Sequence, residues 1–302
     1  MKIFKRLLLI AVVLLVLVLG AAAAFPFVFK DEILAAVKRE INVNLTAKVD
    51  FDDVNLSLFR HFPHVSVGLE NYSVTGTDVF DKITLAKGEL LDVEVDLSSF
   101  WNKDKPIKIN SVHLKKPNIK VYVLEDGRAN YDIVKTEETI EIDSITGEPI
   151  VVEPTPFEIN LDGYSISEGK ILYQDATNDL YVSIEGLNHR GSGNFTQDVF
   201  DLETDTKMDS LTVRYGTIPY LKDAVVDLSA TFQIEAPISK YTLKDNNLRI
   251  NDLNLNADGF VQMLENDDID MDLKVSTPEN DFKALLSLIP NAYIQNFEAV
   301  KA

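Results

Sequence analysis

Ile269-Asp270-Met271-Asp272-Leu273-Lys274-Val275 alternates apolar and polar residues without a fault. A strand turns successive side chains to opposite faces, so this heptapeptide presents four apolar groups to one side and three charges to the other. The same period of two recurs upstream in Val65/Val67/Leu69, Leu91/Val93/Val95/Leu97, Ile119/Val121/Val123, Val182/Ile184, Val226/Leu228 and Leu253/Leu255. Each is the signature of a half-buried strand. Asp52-Asp53 breaks the phase once, between Val49/Phe51 and Val54/Leu56, and predicts a bulge or turn there.

Turn signals separate these runs, among them Arg60-His61-Phe62-Pro63, Glu125-Asp126-Gly127, Asp162-Gly163, Gly191-Ser192-Gly193 and Asp258-Gly259. No helical pattern of useful length lies between Leu45 and Glu279, which argues against a βαβ architecture. The expectation is therefore a mainly β body, a long antiparallel sheet curved into a groove with one wet and one dry face.

The amino terminus reads differently. Lys2, Lys5 and Arg6 precede an uninterrupted apolar run from Leu7 to Phe29, including Leu14, Leu19 and Phe27. That length spans a hydrocarbon core, which takes about 20 apolar residues in a helix. The basic residues place the N-terminus in the cytoplasm and export the body. A cleaved signal peptide ending near Ala21–Ala24 is the competing reading, but Phe25-Pro26-Phe27-Val28-Phe29 prolongs the apolar stretch past that site. Next, Ile33, Leu34, Val37, Ile41 and Leu45 share one helical stripe, predicting a short amphipathic helix over Lys30–Leu45 that caps the sheet.

The segment 136–156 is acidic and carries Glu153-Pro154-Thr155-Pro156, so it reads as a linker. It divides the chain into an anchor (1–29), a first β region with its leading helix (30–135) and a second β region (157–302). The second stops at what reads as the start of another strand, Asn296–Ala302, as expected of a fragment.

Composition excludes several functions. With no cysteine there is no disulfide framework, thiolate chemistry or cysteine-bound zinc. A net charge of -19 opposes nucleic-acid binding, which needs a basic surface. No nucleophile elbow, phosphate loop or metalloprotease helix occurs in the sequence, so no enzyme, cofactor or metal site is expected. His61 and His64 flank Phe62-Pro63 at a chelating spacing, yet no carboxylate follows at ligand distance; His113 and His189 are isolated and read as solvated. Asp268, Asp270 and Asp272 form a straight acidic row without the central glycine of a calcium loop.

The dry face is what remains. It offers more apolar stripe than the sequence has helices to cover. Either a second sheet stacks on it, giving a membrane-tethered β-sandwich that binds a protein or glycan, or part of it stays open to lipid acyl chains. Candidate groove residues are Val93, Val95, Val121, Val123, Leu253, Leu255 and Met271.

The order of elements carries a resemblance. After the anchor and amphipathic helix come Val49-Asp50-Phe51-Asp52-Asp53-Val54-Asn55-Leu56-Ser57-Leu58-Phe59-Arg60-His61-Phe62-Pro63-His64-Val65, then Pro117-Asn118-Ile119-Lys120-Val121-Tyr122-Val123. Asp126-Gly127-Arg128-Ala129-Asn130-Tyr131-Asp132-Ile133 follows. This series resembles the N-terminal part of the AsmA family of bacterial envelope proteins. The resemblance implies an inner-membrane anchor, a periplasmic body, and a β-groove that carries phospholipid, with a role in outer-membrane assembly and possible envelope protein partners. Family members are generally longer, with a C-terminal region that this chain lacks.

Overall fold

A computed structural model describes residues 45–57, 64–96, 107–135, 157–264 and 268–278, positions 38, 41 and 266, and the backbone of 139–142 and 149–152. The anchor with Leu7, Leu14, Leu19, Phe27 and Phe29 lies outside these residues, as does most of the helix expected over Lys30–Leu45. Within that helix Lys38 and Ile41 are described, and both are helical. Among the described residues no helix is long and apolar enough to cross a membrane.

The strands are β1 (Lys48–Asp50), β2 (Asp53–Ser57), β3 (His64–Thr75), β4 (Thr84–Asp96), β5 (Ile107–Lys115) and β6 (Asn118–Val123). A short hairpin, β7 (Thr139–Ile142) and β8 (Pro149–Val152), lies within the segment read as a linker and pairs only with itself. Then come β9 (Phe157–Asp175), β10 (Leu180–Gly193), β11 (Val199–Tyr215), β12 (Ile218–Glu235), β13 (Lys240–Ile250), β14 (Leu253–Met263) and β15 (Ile269–Ser276). Apart from that hairpin, all belong to one curved sheet of 13 strands in the order β1-β3-β4-β5-β9-β10-β11-β12-β13-β14-β15. Two strands join beside this path: β2 continues β1 along β3, and β6 continues β5 along β9.

The expectation of a purely antiparallel sheet is corrected at β9, which runs parallel to both β5 and β6. The reason lies in the connection. Adjacent antiparallel strands need only a short turn, whereas β9 starts opposite the start of β5, at Phe157 and Ile107, and is reached from β6 by a long connection. The sheet is therefore mixed.

A seam of irregularities crosses it. At the seam the apolar alternation skips to an interval of three: Phe51 to Val54, Leu69 to Tyr72, Leu91 to Gly88, Leu114 to Pro117, Ile166 to Gly169, Leu187 to Ile184, Met208 to Leu211, Ala224 to Leu221. Left-handed residues mark it, with φ of 50° at Asn71, 48° at Lys116, 52° at Glu168, 64° at Gly186 and 51° at Asp223. A bulge in one strand alone would flip the side chains beyond it to the other face. Because each of these strands skips once, either level with its neighbour or one pair away from it as between β9 and β10 and between β11 and β12, the apolar groups on both sides of the seam keep to one face. Phe51, Leu69 and Tyr72 thus belong to a single buried cluster with Val49, against which Ile41, Val54, Val74 and Leu114 pack. The phase break at Asp52-Asp53 is the first stitch of this seam, tied to β3 by Asp52 N–H donating to the Glu70 carbonyl (2.9 Å) and Asn71 Nδ2 donating to Asp52 (2.9 Å).

Side chains replace backbone partners where the ladder breaks. Asn246 Nδ2 donates to the Ala257 carbonyl (2.5 Å) and its Oδ1 accepts from Ala257 N–H (2.8 Å), filling the gap where β13 carries an extra residue against β14. Asp175 closes the β9–β10 turn by accepting from the side chains of Thr177 (2.5 Å) and Asn178 (2.8 Å) and from their amides. These hydrogen bonds, the Thr177 hydroxyl first, hold its carboxyl well below the usual carboxylate range.

Candidate functional site: the apolar sheet face

Register pairing defines the two faces residue by residue. One unbroken row runs Leu255–Leu248–Leu228–Thr206–His189–Ile166–Leu114–Leu91–Leu69–Val54, each residue directly opposite the next on the neighbouring strand. A neighbouring row on the other face runs Asn247–Ser229–Asp205–Arg190–Ser165–His113–Asp92–Gly68–Asn55. One face is thus apolar along most of its row, and the other polar along this row except at Gly68.

The seven candidate residues fall on the apolar face. Val93 stands between Val67 and Val112, and Val95 between Val65 and Ile109. Val121 and Val123 oppose Tyr173 and Asp175, Leu253 opposes Ile250, Leu255 opposes Leu248, and Met271 opposes Val261. They differ in exposure. Val95, Val123 and Leu253 are buried at 6%, 9% and 2%, Val93, Val121 and Leu255 are half-buried, and Met271 is 56% exposed.

The gradient has a physical origin. Near β1–β5 the face closes on itself around Val49, Phe51, Leu69 and Tyr72, and burial pushes the Tyr72 phenol pKa up to about 12. Lys38 sits over the Phe51 ring (4.7 Å to its centroid) and donates to Asp50 (2.6 Å), fastening the helical turn to this end. No second sheet stacks on the face among the described residues. On β15, Ile269, Met271, Leu273 and Val275 are all exposed, and so are the acids between them, so the dry side of that strand lies open.

Midway, polar groups interrupt the apolar row. Thr204 and Thr206 are buried on it, and His189 Nδ1 lies 2.8 Å from the Thr206 hydroxyl. Burial lowers the His189 pKa, favouring the uncharged ring. The expectation of a solvated His189 is therefore corrected: Tyr164 packs on it at 5.3 Å between ring centroids. His113 lies on the polar face, its Nδ1 2.8 Å from Ser165 Oγ.

Gly191-Ser192-Gly193, read as a flexible turn, is strand: these residues end β10. A Cβ at Gly191 would fall 2.5 Å from the Tyr164 ring, so this glycine makes room for an aromatic shelf. Phe195 and Phe200 extend the shelf, with centroids 4.8 Å apart. An aromatic two strand positions from a pair of glycines was the available signal.

The Asp126–Asn130 motif is structural. Gly127 adopts φ 85°, and Asp126 accepts from the Arg128 amide (3.1 Å) and from its guanidinium (2.6 Å). Asn130, 1% exposed, accepts from Tyr122 N–H (2.9 Å) and donates to the Lys120 carbonyl (2.8 Å), substituting for a strand along β6. His64 begins β3; its expected companion His61 lies outside the described residues.

In comparisons with known proteins, the model of the AsmA family matches residues 1–285. A search of the curated proteins finds no match.

Proposed function

Since the chain belongs to the AsmA family, we propose that it is a non-enzymatic envelope protein, anchored in the bacterial inner membrane by Leu7–Phe29, whose sheet holds phospholipid acyl chains against its apolar face. The observation that carries this reading is the row from Leu255 to Val54, apolar except at Thr206 and His189, on a sheet with no second layer among the described residues. Each methylene taken from water by such a face contributes about 0.8 kcal/mol, so a single acyl chain suffices for retention. The body then stands in the periplasm, and phospholipid transport in support of outer-membrane assembly is the role we assign. Envelope proteins at either end of the sheet are its proposed partners.

Native mass spectrometry of the detergent-extracted chain tests this. Phospholipid should co-purify at a defined stoichiometry. Asp at Met271 or Val261, both on the open part of the face, should lower the bound lipid while the circular dichroism spectrum is kept, and Asp272→Asn on the other face should change neither. Absence of lipid from the native chain ends the reading. Asp at Leu253 is unsuitable for this purpose, since a charge at a 2% exposed position unfolds the end of the sheet.

A further inference from the structure

Beside the row that holds Thr206 and His189, a second row on the same face runs Ala230–Thr204–Gly191–Tyr164–Val112–Val93, each residue opposite the next. Where the two rows cross β9, β10 and β11 they gather Tyr164, His189, Thr204 and Thr206 around Gly191. The face is apolar again on both flanks, with Leu228 and Ala230 on β12 and Val112 and Leu114 on β5.

Thr204 and Thr206 are 8% and 6% exposed. Valine would fill either position without taking a hydroxyl out of water, so a hydroxyl kept there calls for a partner. Thr206 has one in His189 Nδ1. The hydroxyls of Thr204 and Tyr164 have none among the described residues. Tyr164 lies across Gly191, its hydroxyl 2.7 Å from where a Cβ would stand, and so reaches toward Thr204 on the next strand. With the Thr206 hydroxyl donating to Nδ1, the neutral His189 ring carries its proton on Nε2, a third free donor. The charges next in sequence, Arg190, Asp205 and Lys207, alternate onto the reverse face, where Arg190 pairs with Asp205 and Lys207 with Asp227.

Resting on the reading that this face holds phospholipid, we infer that Tyr164, His189 and Thr204 form a docking point for the acyl-ester carbonyls of a diacyl phospholipid, whose chains lie on the apolar stretches to either side. An ester carbonyl accepts hydrogen bonds and carries no charge, which matches a cluster of donors without a cation. A phosphate would call for arginine or lysine on the same face.

The test is native mass spectrometry of the full chain in detergent, offered equal amounts of a diester phosphatidylethanolamine and its diether analogue with the same chains. One hydrogen bond changes affinity by a factor of about two to ten, so the native chain should retain the diester several-fold over the diether. Thr204→Val combined with Tyr164→Phe should bring the two lipids level, the diester falling and the diether unchanged. Ser165→Ala, on the reverse face, should keep the preference. Thr204→Val alone should melt no lower than the native chain, because the fold makes no use of that hydroxyl. Equal retention of the two lipids by the native chain, a preference that survives in the double variant or is lost in Ser165→Ala, or a lower melting temperature for Thr204→Val would each overturn the inference and leave the lipid reading standing. Retention of neither lipid ends both.

Discussion

Asn130 shows how a single residue holds a strand end. Its amide makes both hydrogen bonds that a neighbouring backbone would make to β6, in a site almost closed to water. Asn130→Ala leaves the Tyr122 N–H and the Lys120 carbonyl without those partners, at about 1–3 kcal/mol for each buried group left unsatisfied. We expect a loss of roughly 2–4 kcal/mol in urea unfolding, whereas Arg128→Ala, which breaks only an exposed pair, should stay within about 1 kcal/mol. Equal losses for the two variants would mean that the turn, not the buried amide, carries the motif. The residues themselves announced a turn at Asp126-Gly127. Nothing in them announced that Asn130 is buried, because its partners lie eight and ten positions upstream and only folding brings them into reach.

At the scale of elements the seam is the informative feature. Non-glycine residues in the left-handed region cost on the order of 1 kcal/mol each, and persist where surrounding pairing over-determines them. Glu168 is such a residue, at φ 52°, with its amide donating to Asn188 Oδ1 (3.2 Å). Glu168→Gly should therefore lie within about 1 kcal/mol of the native chain or above it, and Glu168→Val should lose about 1–2 kcal/mol, since a β-branched side chain tolerates this backbone worst. Indistinguishable denaturation midpoints for the two would show that the seam carries no strain there. One stitch, Asp52-Asp53, was legible because clear alternation flanks it on both sides. The others were not, since a skip of one residue inside strands as long as the 19 residues of β9 resembles ordinary noise in hydrophobicity.

For the whole molecule, packing is uneven. The apolar face is closed by a buried cluster at β1–β5 and open at β15. Amides open with free energies that follow local packing, so hydrogen exchange should be slowest in β3 and β4 and fastest in β14 and β15. Uniform protection across the sheet would mean that an additional layer covers the exposed end.

By itself, the amino-acid sequence determined that this is a mainly β chain of the AsmA family and, within each run between skips, which side chains share a face, the latter because period-two alternation is a local property written residue by residue. The seven candidates on the apolar face were legible for that reason. The tertiary structure alone decided that β9 lies parallel to β5 and β6, that the kinks of neighbouring strands align, and that some candidates are sealed while Met271 is bare. Alternation says which way a side chain points but not which strand stands beside it. Pairings such as His113 with Ser165, 52 residues apart, are chosen by the global fit of all strands at once.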